Sequence, residues 1–230
     1  LALAASPHPT RLTTLDLTLL VIGPKGASAL AATPHLARLT SLVLWAAAIQ
    51  SEGAEALAQA PSLSRLEALD LGSYDVTPCN DIGDEGIQAL ACSPHLVRLK
   101  RLDLMENRIG AQGVRALAAS ANFRELTHLN LSGNEVDLDG ARALASSPHL
   151  ARLAYLMIGG YGFLDEYPDR LTEAAEILLS SPRLPNLTRL DIGYPTYGEP
   201  TAATIEACRR RFGGRLVWRD GQSGLDGIEK

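Results

Sequence analysis

The chain has 230 residues, is 46% hydrophobic but only 5% aromatic, and carries a formal net charge of −5. This mild acidity excludes nucleic acid as the main partner, since phosphate binding needs a basic face. No apolar run reaches the roughly 18 residues that would span a membrane. Cys79, Cys92 and Cys208 are odd in number, show no metal-ligand spacing and are not grouped at the ends as disulfide caps. They favour a reducing, cytoplasmic setting. Neither a starting Met nor a signal peptide is seen.

In chain order, residues 1–8 match the helix end written again as Ala29-Leu30-Ala31-Ala32-Thr33-Pro34-His35. The chain is therefore expected to begin inside a repeated unit, its upstream part missing. One short motif, L-x-x-L-x-L, then recurs at residues 12–17, 39–44, 66–71, 99–104, 126–131, 153–158 and 187–192. Its first leucines lie 27, 27, 33, 27, 27 and 34 residues apart. The base period is 27, and the two long spacings hold insertions of 6 and 7 residues in the third and sixth units. Each motif predicts a short strand with its leucines on one side.

The unit at residues 99–118 is the most complete. Asn107 is placed to bond backbone groups where the chain leaves the strand, and Ile109 points back to the core. I-G-x-x-G then opens a short helix at Ile22-Gly23, Ile82-Gly83 and Ile109-Gly110, with looser copies at Ile49 and Val136. The opening glycine is expected to let neighbouring turns approach. The helices read Ala-x-Ala-Leu-Ala and lie close to the strands. Prolines at positions 7, 34, 61, 94, 148 and 182 stop them. His8, His35, His95 and His149 follow, and Arg11, Arg38, Arg65, Arg98 and Arg152 precede the strands. Both rows are expected to bond descending-loop carbonyls and meet the negative helix ends rather than a metal.

The pattern degrades late in the chain. Gly159 to Pro168 replaces the Asn turn of the sixth unit, and Arg209-Arg210-Arg211 reads as a solvated helix end rather than a phosphate site. Phe212 and Trp218 are expected to cover the end of the core. The domain reading is one solenoid over residues 1–220 and a flexible tail over 221–230.

The pattern L-x-x-L-x-L-x-x-N-x-I-G-x-x-G-x-x-A-L-A, clearest at residues 99–118 and 126–145, resembles leucine-rich repeats of the ribonuclease-inhibitor class. Its Ala- and Arg-rich, Cys-poor text resembles bacterial members. The resemblance implies an α/β leucine-rich-repeat solenoid, a curved horseshoe fragment with parallel strands on the concave face and short helices on the convex face. A unit cannot bury its apolar face alone, so neighbours must stack. Strands pair at about 4.8 Å and helices pack at about 8–10 Å, so the stack bends with the strands inside. The class further implies protein binding on the concave face. Its contacts come from variable positions, so ribonuclease binding does not carry over.

In such a fold the x positions of the strands face the concave side. The third position gives Thr14, Ser41, Ala68, Arg101, His128, Tyr155 and Arg189. The fifth gives Asp16, Val43, Asp70, Asp103, Asn130, Met157 and Asp191. The seventh gives Thr18, Trp45, Gly72, Met105, Ser132, Gly159 and Gly193. The middle repeats are richest in large amphipathic side chains, the kind that make binding patches. The candidate protein-binding residues are Arg101, Asp103, Met105, His128, Asn130, Tyr155 and Met157, with Tyr74, Tyr161, Phe163 and Tyr167 in the insertions. Both insertions follow strands and are expected on one rim, roughly 15 Å apart. The acidic segment from Tyr74 to Asp81 lacks calcium-loop spacing and is expected to be a polar surface loop. A general base made of His128 and Asp103 is conceivable, but no nucleophile or metal set accompanies it. The reading is a non-catalytic interaction scaffold for a protein or peptide, with no cofactor. The alternative is a regulatory or sensor domain of a larger protein, such as a nucleotide-hydrolase regulator or effector.

Overall fold

The computed structural model describes residues 11–73, 79–159, 168–192, 210 and 212–217. Each L-x-x-L-x-L motif yields a three-residue strand from its third to fifth positions. These are β1 (Thr14–Asp16), β2 (Ser41–Val43), β3 (Ala68–Asp70), β4 (Arg101–Asp103), β5 (His128–Asn130), β6 (Tyr155–Met157) and β7 (Arg189–Asp191). A last pair of residues, β8 (Leu216–Val217), closes the sheet at its far end. All neighbours are parallel, in the order β1 to β8. Six helices have their bounds among the described residues: α1 (Gly23–Ala31), α2 (Gln50–Ala58), α3 (Gly83–Ala91), α4 (Ala111–Ala119), α5 (Leu138–Ser146) and α6 (Pro168–Leu179). One strand and one helix per repeat, in an open stack, make this a leucine-rich-repeat solenoid. The strands lie on its concave side.

The core lies between the two layers. From each strand the central leucine points inward, as Leu42, Leu69, Leu102, Leu129, Leu156 and Leu190. Leu57, Leu90, Leu117, Leu144 and Leu178 meet them from the helices. Leu63, Leu96, Phe123 and Leu150 close the bottom of each coil. Leu12 and Leu17, in the first described repeat, are only partly buried. Phe212 packs on the core near the other end, as expected of a covering residue. Trp218, the arginines at 209 and 211 and the tail 221–230 lie outside the described residues.

Buried asparagines stitch successive coils. Asn134 donates from Nδ2 to the Leu104, Leu131 and Ser132 carbonyls, and its Oδ1 accepts from Asn107 N and Ile109 N. Asn107 reaches Leu71 O and Met105 O in the same way. Asn80 does so too, although the sequence placed it in a polar surface loop. It is fully buried, donates to Leu44 O, Leu71 O and Gly72 O, and accepts from Ala47 N and Ile49 N. The third unit thus keeps its asparagine, displaced by the insertion that precedes it.

Serines one repeat on take the helix-end carbonyls. Ser93 donates to Ala58 O, Ser120 to Ala91 O, Ser147 to Ala118 O and Ser181 to Ala145 O. Arg152 pairs with Glu125 of the preceding repeat. At Gly23 and Gly83 the opening glycine serves backbone geometry rather than close approach, whereas Gly110 has an ordinary negative φ and lies against Asp84. Gly83 has φ +62° and open space where a Cβ would stand. Close approach falls to the second glycine of the motif. A Cβ at Gly53 would stand 2.8 Å from Ile49 Cβ and 3.0 Å from Ala27 Cβ. Gly53→Ala is therefore expected to lose about 1–3 kcal/mol, although helix propensity alone favours alanine. Urea denaturation checks the sign.

Candidate functional site

The in-register pairing lays the concave side chains out in straight rows. Thr14, Ser41, Ala68, Arg101, His128, Tyr155 and Arg189 are successive partners in one row, and Asp16, Val43, Asp70, Asp103, Asn130, Met157 and Asp191 in the next. These are the rows read from leucine spacing. Side chains within a row lie about 4.8 Å apart, and the rows are separated by two residues of strand, about 6.6 Å.

Between β2 and β6 the rows enclose a groove of about 300 Å³. Arg101, Asp103, His128, Asn130, Tyr155 and Met157 all line it. Met105 stands half-buried one step beyond, outside the lining. Tyr74, Tyr161, Phe163 and Tyr167 lie outside the described residues. The groove also takes in Ser41, Val43, Ala68 and Asp70, which the candidate set left out. Asp70 could have been found from the sequence, because it shares the fifth position with Asp103 one strand away.

The acidic row has a backbone duty. Oδ1 of Asp16, Asp70 and Asp103 accepts the N–H two residues on, from Thr18, Gly72 and Met105 at 2.9, 3.0 and 3.0 Å. Asn130 does the same for Ser132. This turn ends each strand and explains the recurrence of Asp and Asn there. Asp103 also accepts from Asn130 Nδ2 at 2.9 Å. Its carboxylate is thus held in place rather than swinging free.

The other row is aromatic and cationic. The His128 and Tyr155 rings lie 5.9 Å apart and tilted, and the Arg189 guanidinium sits 5.3 Å from the Tyr155 ring centre. The Tyr155 hydroxyl donates to Asp191 at 3.4 Å. Trp45 lies across Gly72, where a Cβ would stand 3.0 Å from both the indole Cδ1 and Asp103 Oδ1.

Electrostatics separate the two rows. Burial, and then repulsion from Asp103, pushes the Asp70 carboxyl up to about 7. Burial also raises Asp103, with the Met105 N–H and the Asn130 amide partly offsetting it. Burial and the Arg101 charge lower His128. A working His–carboxylate pair would raise that imidazole instead. The hydrogen-bond partner of His128 Nδ1 is Thr127 Oγ1 at 2.9 Å, and Asp103 bonds elsewhere. The conceivable general base is thus two groups on adjacent strands, each committed to another neighbour.

Four stretches, residues 8–31, 78–91, 98–118 and 124–145, match the family model for the leucine-rich repeat. These matches support a leucine-rich repeat protein. No curated protein matches it. Two of the matched stretches, 98–118 and 124–145, carry β4 and β5, the centre of the groove. Leucine-rich repeats are in general protein-interaction modules and in general non-catalytic. No helix among the described residues of this repeat protein is long and apolar enough to cross a membrane.

Proposed function

We propose that this leucine-rich repeat protein is a non-catalytic scaffold that docks a protein or peptide in its concave groove. The observation that carries the reading is the convergence of Arg101, Asp103, His128, Asn130, Tyr155 and Met157 on one groove of about 300 Å³. Such mixed aromatic, charged and apolar linings are typical of recognition surfaces. A rigid sheet pre-organises them, so little ordering cost opposes binding. The rim insertions, with Tyr74, Tyr161, Phe163 and Tyr167, extend the docking surface, as long loops on rigid scaffolds often do. Cofactor-free action in a bacterial cytoplasm, and closeness to the ribonuclease-inhibitor class, belong to the same reading. The alternative role, as regulator or sensor in a larger protein, uses the same surface.

The test begins with random peptides displayed on phage and selected on the purified chain. Their affinities are then measured on wild type and on the double variant Arg101→Ala, Met157→Ala. Arg101 is exposed and Met157 faces the groove, so neither supports the core. The expected result is a loss of tenfold or more in affinity with the melting temperature unchanged. Peptides that bind both proteins equally well would overturn the proposal.

A further inference from the structure

The groove has an uncompensated floor. Asp70 on β3 and Asp103 on β4 are direct partners in the ladder, and both line it. The backbone N–H of Gly72 is the one hydrogen-bond donor to Asp70 among the described residues. No described Lys, Arg or His forms an ion pair with either carboxylate. Asp16 on β1 adds further repulsion at Asp70. Arg101 on β4 and His128 on β5 occupy the other row, about 6.6 Å along the strands. Val43 flanks Asp70 and Asn130 flanks Asp103 within the acidic row, with Met157 beyond. Two partly buried carboxylates side by side weaken the fold. Among the described residues hydrogen bonds from Gly72, Met105 and Asn130 offset part of that cost, and no cation offsets the rest.

We infer that the groove docks a basic peptide segment of a partner protein, seating one arginine or lysine over Asp70 and Asp103 with its methylene stem along Val43. The inference rests on the docking reading above and names its partner class. Three features favour this occupant. The charge is complementary where the floor lacks a cation. The long aliphatic stem of such a side chain suits apolar walls while its head reaches the carboxylates. A planar guanidinium can also bridge two carboxylates in adjacent strands, which a neutral or acidic side chain cannot.

The peptides selected on wild type supply the test. They are expected to share a basic residue at one position. Replacing that residue with citrulline, if arginine, or norleucine, if lysine, should weaken binding tenfold or more. Asp70→Asn should weaken it by a similar factor while leaving the melting temperature equal or higher, which a merely structural role for Asp70 does not predict. Peptides without a common basic residue, lost on Arg101→Ala, Met157→Ala but bound equally by Asp70→Asn, would overturn this inference and leave the docking reading standing. Peptides indifferent to both variants, or no peptide recovered at micromolar affinity, would overturn both.

Discussion

Asn80→Ala is expected to destabilise the protein by about 3–5 kcal/mol, as much as Asn134→Ala. One amide serves five backbone groups at each place. At Asn80 these are three carbonyls, Leu44, Leu71 and Gly72, and two N–H groups, Ala47 and Ile49, at 2.8 to 3.2 Å. Alanine leaves Leu44 O and the Ala47 and Ile49 N–H groups unpaired in a site closed to water, while Leu71 O keeps Asn107 Nδ2 and Gly72 O keeps the Ala46 N–H. Each orphaned buried group costs about 1–3 kcal/mol, and relaxation recovers part of the sum. The bonds join the second and third coils, so their loss also weakens the interface on which a stacked fold depends. Urea denaturation followed by circular dichroism measures the effect. A change below about 0.5 kcal/mol would mean that Asn80 sits in a surface loop after all.

The second large effect is a pH dependence set by Asp70. Its carboxyl is raised from 3.8 in the unfolded chain to about 7 in the folded one. The folded state therefore holds a proton that the unfolded state has released, and stability falls as pH rises across that window. The contribution is full below about pH 4 and gone above about pH 7. A shift of this size corresponds to about 4 kcal/mol at most, and partial exposure reduces it to about 2–3 kcal/mol. Asp70→Asn keeps an acceptor for the Gly72 N–H and has no charge to bury. The variant is expected to be more stable than wild type by that amount at pH 8 and equal to it near pH 4. Parallel denaturation curves at both pH values check this. A variant less stable than wild type at pH 8 would show that the Asp70 charge is compensated.

The same residues show how far the sequence could be read. Leucine spacing was enough to place the concave rows, because a period-two strand leaves no freedom about which side chain faces which way. Partners such as Arg101 and His128, or Asp103 and Asn130, follow once consecutive strands pair in register. Asn107 and Asn134 were legible at their fixed distance from the leucines. Asn80 was not, because the insertion lies between it and its strand, and a polar stretch next to a break in period looks like a loop. The serine row escaped for another reason. Ser93 and Ser147 each sit beside a proline and a histidine, and there the larger groups drew the assignment. The weight of Asp70 was hidden too. Its fifth-row place was plain, but its electrostatic load comes from burial and from Asp103, 33 residues away in sequence and adjacent in the sheet. The insertion aromatics fall outside the described residues, and their part in docking stays with the proposal.

The chain has two methionines, Met105 and Met157, and both belong to the concave face. Methyl-labelled methionine therefore gives two NMR signals, assignable with Met105→Leu, that report on this surface alone. Addition of a selected basic peptide should shift the Met157 signal strongly, because its side chain lines the groove, and the Met105 signal less. Saturable binding with both methyl signals unmoved would contradict docking on the concave face.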